Sequence, residues 1–98
     1  MDRNLVVETL RDHAPELKAA GIAHLRLFGS TARGEATAAS DVDLMVEFSA
    51  SQRPTLVTLG RLQGRLTEIL KVKVDLSSAD WMREPIRSRA LKEAVLAF

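Results

Sequence analysis

The sequence predicts an α+β domain in which a small mixed β-sheet is flanked by helices. Apolar residues recur at helical spacing near both ends of the chain, and short segments of alternating character lie between them. The chain has 98 residues. This length predicts a single domain over residues 1–98 with a core of modest size.

Two helices and a strand are predicted for the N-terminal part of the chain. Asp2 is a candidate N-cap, and apolar residues recur at helical spacing over residues 6–17. Pro15 interrupts that pattern, so we expect the helix to break there and a short second helix to end at Gly21. Residues 24–28 alternate in character, which indicates a short strand.

The middle of the chain contains a tight turn and the clearest strand. Residues 30–34 are expected to form a helical turn that Ser30 caps and Gly34 closes. Residues 41–48 have the alternation of a half-buried strand. The predicted buried face of this strand consists of Val42, Leu44, Val46 and Phe48.

A long helix, a third strand and a final helix complete the predicted elements. Residues 54–70 form the longest helical pattern, with a predicted buried stripe made up of Leu56, Leu59, Leu62, Leu66 and Ile69. Residues 72–76 alternate apolar and charged residues, which indicates a strand that carries Asp75. Pro85 is expected to open a last helix that continues to Phe98.

Composition and charge argue against several functions. The 14 basic and 13 acidic side chains give a net charge of +1, so no direct binding of nucleic acid is expected. Cysteine is absent, which excludes disulfides and thiolate chemistry and fits a reducing cytosol. The N-terminal segment carries acids throughout, so we expect neither a signal peptide nor a membrane span and a cytoplasmic location.

Three aspartates are the candidate catalytic and metal-binding residues. Asp41 and Asp43 are two positions apart on one predicted strand, so their side chains share a face. Asp75 has the same phase on another strand, and the three carboxylates converge if the two strands pair. Clustered carboxylates repel one another unless a cation lies between them, and their oxygens suit Mg²⁺. Taken singly, Asp43 or Asp75 is better explained as a solvated residue on a strand face.

Gly29 and Ser30 form a candidate phosphate-binding turn between a strand and a helix. Gly29 lets the backbone approach a phosphate closely, and the Ser30 hydroxyl can donate to a phosphate oxygen. On its own, the pair is better explained as an ordinary turn with a serine cap. Arg33 lies beside this turn, where it either binds the triphosphate or pairs with Glu35 or a loop carbonyl.

The combination of these features is more specific than its parts. Gly29-Ser30, ten residues and then Asp41-x-Asp43 make up the signature GSx(10)DxD, which here reads GSTARGEATAASDVDLMV. With it the sequence resembles the DNA polymerase beta-like nucleotidyltransferase superfamily, and within it the minimal nucleotidyltransferase antitoxins that are paired with HEPN-domain toxins in prokaryotes. The FGS, ARGE, VDL and IRSRALKEAVLAF segments extend this resemblance over nearly the whole chain.

The resemblance implies a polymerase beta palm-like fold and a catalytic role. It implies that two Mg²⁺ ions are bound by Asp41 and Asp43, together with Asp75 as the third acid, and that Gly29 and Ser30 bind the triphosphate. The implied reaction is the transfer of AMP from ATP to a tyrosine hydroxyl of the cognate HEPN ribonuclease toxin. A hetero-oligomer with that toxin is therefore expected.

Two other functions stay open from the sequence. One is nucleotidylation of a small molecule, which would need an acceptor site from a partner chain. The other is a binding antitoxin that masks its toxin, with the acids structural or vestigial. Trp81 and Met82, in a polar connection, are explained either by core packing or by contact with a partner protein.

Overall fold

Five helices, four strands and one 3₁₀ turn are found in residues 2–34 and 41–98, which are the residues that the computed structural model describes. In chain order they are α1 (Arg3–Asp12), α2 (Ala14–Ala19), β1 (Ile22–Phe28), α3 (Gly29–Arg33), β2 (Val42–Phe48), α4 (Leu56–Leu70), β3 (Val74–Ser78), a 3₁₀ turn (Ala79–Trp81), α5 (Ile86–Glu93) and β4 (Val95–Leu96). None of the described helices has the length and apolar character that crossing a lipid bilayer requires.

The four strands form one mixed sheet in the order β3-β2-β1-β4. Strand β1 is antiparallel to both β2 and β4, whereas β2 and β3 are parallel. Helix α4 connects the parallel pair, as such a connection requires a crossover. The predicted α+β class with a small mixed sheet is therefore confirmed.

The hydrophobic core lies between one face of the sheet and helices α1, α2 and α4. Its fully buried members include Val6, Leu10, Leu25, Leu27, Leu44, Val46 and Leu66. Met45 is also fully buried but lies outside this cluster. Since side chains alternate along a strand, Met45 shares the opposite face of β2 with Asp43.

The N-terminal helices follow the predicted break. Helix α1 ends at Asp12, and Pro15 lies in the first turn of α2, where a missing backbone N–H is tolerated. Asp2 occupies the N-cap position, but its side chain makes no capping hydrogen bond, so that part of the prediction is wrong.

Helix α3 begins one residue earlier than the sequence predicts. Gly29 is its first residue and Phe28 is its N-cap, so Ser30 lies inside the helix and the predicted serine cap is wrong. The positive φ of Gly29, 67°, turns the chain directly out of β1. At the other end Gly34 adopts a left-handed conformation and closes the helix as expected.

A capping box sets the start of α4. The Thr58 backbone N–H donates to the Thr55 hydroxyl at 3.2 Å, and the Thr55 backbone N–H donates to the Thr58 hydroxyl at 3.2 Å. Leu56 is thus the first helical residue and is 78% exposed, so its predicted place in the core is wrong. The buried stripe consists of Leu62, Leu66 and Leu70, with Leu59 and Ile69 partly buried.

The C-terminal residues correct the prediction of one final helix. Helix α5 stops at Glu93, and Val95–Leu96 forms the edge strand β4 instead. The Leu25 N–H donates to the Phe98 carbonyl at 3.2 Å, and the Ala97 N–H donates to the Leu25 carbonyl at 2.8 Å. Pairing with β1 therefore outweighs the helical pattern of these residues.

An exposed ion pair joins α2 to α4 and gives a pH-dependent contribution to stability. Arg65 donates to both carboxylate oxygens of Glu16, at 2.6 and 2.8 Å, and this hydrogen bonding lowers the pKa of Glu16. A carboxyl with a lowered folded-state pKa adds stability above its unfolded pKa, and that stability is lost as the pH falls through the folded value.

We therefore expect Glu16→Gln to be slightly less stable than the wild type near neutral pH, because exposed pairs contribute little. The difference should vanish once the pH lies well below the ordinary glutamate value of 4.5. Urea denaturation of both proteins across this range measures it. A difference that persists in acid would assign the effect to packing instead of charge.

Candidate active site

Asp43 and Asp75 lie side by side at the start of the parallel strand pair. They are register partners of β2 and β3, and paired residues on adjacent strands point to the same face of the sheet. Asp43 is half-buried and Asp75 is exposed. Neighbouring strands are about 4.8 Å apart, so the two carboxylates lie close enough for their charges to repel each other.

Asp41 lies at the rim of this pair, one residue before β2. Its side chain is exposed, and Oδ2 is 3.8 Å from the Nζ of Lys73, which is also exposed. The Val42 N–H donates to the Lys73 carbonyl at 2.9 Å and fixes the chain at this point. An exposed ion pair of this kind is weak, so the Asp41 carboxylate stays available to a cation.

The acids influence one another through their charges. Partial burial raises the pKa of Asp43, and the negative charges of Asp75 and then Asp41 raise it further, whereas the Arg33 guanidinium acts in the opposite direction. The three carboxylates thus share one region of repulsion, next to the cationic side chains of Arg33 and Lys73.

Gly29 abuts the Asp43 carboxylate. Its preceding residue, Phe28, is the register partner of Asp43 across β1 and β2. A Cβ atom at Gly29 would overlap Oδ2 of Asp43 and lie 3.2 Å from its Cγ, and the φ of 67° disfavours any side chain. A glycine at position 29 therefore leaves room for the Asp43 carboxylate, beyond its predicted role in phosphate approach.

Helix α3 carries Ser30 and Arg33 next to Asp43, and its C-terminal end is held by two contacts. Arg33 donates to Oε2 of Glu93 on α5 at 3.4 Å, and Arg3 on α1 donates to the Ala32 carbonyl at 2.9 Å. The contact between Arg33 and Glu93 was not predicted, because the two residues are 60 positions apart and no local pattern links them.

A second ion pair lies on the same sheet face, farther along β2. Arg26 donates to Glu47 at 3.1 Å, and both side chains are largely shielded from solvent. Glu47 has the same strand phase as Asp43 and so lies on the same face of β2. The pair shows that this face is polar beyond the three aspartates.

Metal binding stays a prediction. Within residues 2–34 and 41–98, no group of three or more His, Cys, Asp or Glu side chains has an arrangement that could hold a metal ion. Asp43 and Asp75 are adjacent, and Asp41 lies to one side with its oxygen toward Lys73. Ser40, which the sequence places before the first aspartate, lies outside the described residues.

Comparisons with known sequences all point to the same protein family. Residues 7–97 match the family described as nucleotidyltransferase domain. A protein of Methanocaldococcus jannaschii assigned as a protein adenylyltransferase is 36% identical over 92 residues, which is 93% of this chain and 92% of the relative. The protein adenylyltransferase MntA of Thermococcus cleftensis is 34% identical over 87 residues, 88% of this chain and 86% of the relative.

Solved structures agree with the sequence matches. One assigned as a minimal nucleotidyltransferase is 36% identical, has a TM-score of 0.78, and is matched over 97% of this chain and 95% of its own. A chain in the complex of tri-AMPylated Shewanella oneidensis HEPN toxin with MNT antitoxin has a TM-score of 0.62. Its identity is 19%, over 98% of this chain and 68% of that chain, so this likeness concerns the fold alone.

Proposed function

Because the chain belongs to the nucleotidyltransferase domain family, we propose that it transfers AMP from ATP to a tyrosine hydroxyl of a cognate HEPN-domain toxin. The observation that carries the catalytic part is the register that places Asp43 beside Asp75, with Gly29 against the Asp43 carboxylate. The protein acceptor is suggested by the adenylyltransferase names of the relatives and by the AMPylated toxin in the Shewanella complex.

The oxygen chemistry of the three acids fits Mg²⁺, whereas their arrangement in the described residues does not already form a binding site. Asp41, Asp43 and Asp75 offer hard carboxylate oxygens. Partial burial and then the charges of the other two acids raise the pKa of Asp43, and a bound cation would relieve the repulsion. When bound there, Mg²⁺ would supply charge neutralisation for the triphosphate and make the acceptor hydroxyl easier to deprotonate. We propose two such ions, held by these three residues.

The turn at Gly29 and Ser30 is proposed to hold the triphosphate next to the acids. Gly29 brings the start of α3 directly against the Asp43 carboxylate, and the Ser30 hydroxyl beside it is not used as a helix cap. Arg33 lies near enough to Asp43 to lower its pKa, and its guanidinium would also face phosphate oxygens. Glu93 would then position Arg33 from the opposite side.

The proposed reaction is an in-line substitution at the α-phosphorus. The tyrosine oxygen bonds to this phosphorus, the bond to the bridging oxygen breaks, and pyrophosphate leaves while the phenolic proton passes to a base or to water. An acceptor must lie within about 3–3.5 Å of the phosphorus for this attack. We propose that the toxin provides both the tyrosine and the surface that positions it.

Intact-mass spectrometry of the toxin tests the proposal. With this protein, ATP and Mg²⁺, the toxin should gain mass in whole AMP units, and changing the acceptor tyrosine to phenylalanine should prevent the gain while leaving the complex intact. If the toxin is neutralised without any gain in mass, the protein is an antitoxin that acts by masking. Label from ATP on a small molecule would instead indicate a small-molecule nucleotidyltransferase.

Ser30→Ala tests the phosphate turn. One hydrogen bond to a charged group contributes about 1.5–3 kcal/mol, so ATP affinity should fall about 10- to 100-fold. Transfer at saturating ATP should be affected much less, because the backbone donors stay. Isothermal titration with a non-hydrolysable ATP analogue and Mg²⁺ measures the affinity, and Ser88→Ala on α5 is the matched control. Equal affinities in the two variants would remove the Ser30 hydroxyl from the site.

A further inference from the structure

The segment that follows β3 exposes large apolar side chains that the fold leaves uncovered. Trp81, in the 3₁₀ turn, is 45% exposed, and Ile86, the first residue of α5, is 63% exposed. No residue of α5 is buried. A helix of eight residues gains little stability by itself, so an uncovered one suggests that a partner completes its packing.

The same segment carries cations that have no counter-ion among the described side chains. Arg83, Arg89 and Lys92 are exposed and have no ion pair among the side chains that the structure describes. Of its three acids, Glu93 pairs with Arg33 and Glu84 accepts from the Ser88 hydroxyl, whereas exposed Asp80 has no ion pair among the described side chains. The cations of this segment without an ion pair still outnumber its unpaired acids, Asp80 and Glu84, so its net unpaired charge is positive and complements an acidic surface.

This segment flanks the candidate active site. Ser78, just before the 3₁₀ turn, is the register partner of Val46, three residues beyond Asp43 and so about 10 Å along the strand. The 3₁₀ turn contacts β2, and the far end of α5 reaches α3 through Glu93 and Arg33. A typical interface covers about 800 Å² of each partner, enough to span both this segment and the acids.

We propose that Trp81, Ile86, Arg83, Arg89 and Lys92, here called the α5 surface, dock the acceptor protein whose hydroxyl receives the nucleotide. This inference rests on the proposed function. The matching surface of the acceptor is an apolar pocket, which takes Trp81 and Ile86, with carboxylates around it. A protein is favoured over RNA because the segment has a single aromatic residue, without the repeated stacking platforms of single-strand binders.

The chain offers a matched pair of variants to test the α5 surface. Ile86 and Leu56 are both exposed apolar residues at the first position of a helix, on α5 and α4 respectively. An aspartate is tolerated at that position in either helix, because the first turn favours negative charge. Ile86→Asp therefore changes the α5 surface without threatening the fold, and Leu56→Asp makes the same change elsewhere.

The experiment measures affinity for the cognate HEPN protein by isothermal titration and AMP transfer by intact mass. Ile86→Asp and Trp81→Ala should each weaken binding by about 30-fold or more, the effect of losing an interface hot spot. Leu56→Asp should bind like the wild type. All three variants should keep the thermal stabilisation that Mg²⁺ and ATP give the wild type, because that readout reports the nucleotide site alone.

Other outcomes overturn the inference in distinguishable ways. If the wild type modifies the HEPN protein and Ile86→Asp and Trp81→Ala bind it normally, the α5 surface is wrong and the proposed function stands. If the wild type neither binds nor modifies it, the proposed function fails and the inference fails with it. If protein binding is unaffected but Arg89→Glu loses affinity for single-stranded RNA, the surface is a nucleic-acid site.

Discussion

Replacing Asp43 by asparagine is expected to abolish nucleotide transfer and to leave the protein folded. Asparagine has nearly the same shape, so the register of β2 against β3 and the space beside Gly29 are kept. The substitution removes a carboxylate that would bind metal and face the triphosphate. Metal-assisted charge stabilisation contributes several kcal/mol, so the rate should fall by at least about 1000-fold.

The stability of this variant separates a catalytic role from a structural one. In wild-type protein without divalent cation, Asp43 is half-buried and repelled by Asp75 and Asp41. The neutral amide of the variant would relieve that repulsion, so with chelator present Asp43→Asn should unfold at the same temperature as the wild type or higher. Addition of Mg²⁺ and ATP should stabilise the wild type and have much less effect on the variant.

Glu47→Gln is the matched control for Asp43→Asn. Glu47 lies on the same strand with the same phase as Asp43. It forms an ion pair with Arg26, whereas Asp43 lies next to other acids. The control should keep transfer within a few-fold of the wild type and lose a little stability with its ion pair. Unaltered turnover in Asp43→Asn, measured against this control, would remove Asp43 from the catalytic machinery.

The position of the aspartates was predictable because it depends on local pattern. Alternation along residues 41–48 fixes which side chains enter the core, since a shift of one residue would exchange the two faces. The phase of Asp75 relative to Val74 and Leu76 is set in the same way. Sequence alone could not establish that these strands are neighbours, which the parallel pairing of β2 with β3 supplies.

The features that sequence reasoning missed depend on contacts between distant parts of the chain. Residues 95–98 have a helical pattern, yet pairing with Leu25 makes them an edge strand and ends α5 at Glu93. The Arg33–Glu93 contact exists only because α5 ends there, beside α3. The close approach of Gly29 to Asp43 likewise arises because β1 pairs with β2, and no local sequence pattern predicts that pairing.

Gly29→Ala should damage both stability and activity, and Gly34→Ala separates the two effects. Both glycines have positive φ, 67° and 73°, so a side chain at either position costs about 1–2 kcal/mol in backbone strain. They differ in their surroundings: a Cβ at Gly29 would overlap the Asp43 carboxylate, whereas one at Gly34 meets no described atom within 4 Å. Only the first substitution should therefore disturb the candidate site.

Because the Asp43 carboxylate must rotate to admit a Cβ at Gly29, Gly29→Ala should lower kcat/KM for transfer by about 100-fold or more, as misplacement by about 1 Å does. Gly34→Ala should lose similar stability and keep most of its transfer activity. Urea denaturation and steady-state transfer assays on both variants make the comparison. Equal losses of activity would mean that strain in α3, and not the room beside Asp43, explains why glycine is needed at position 29.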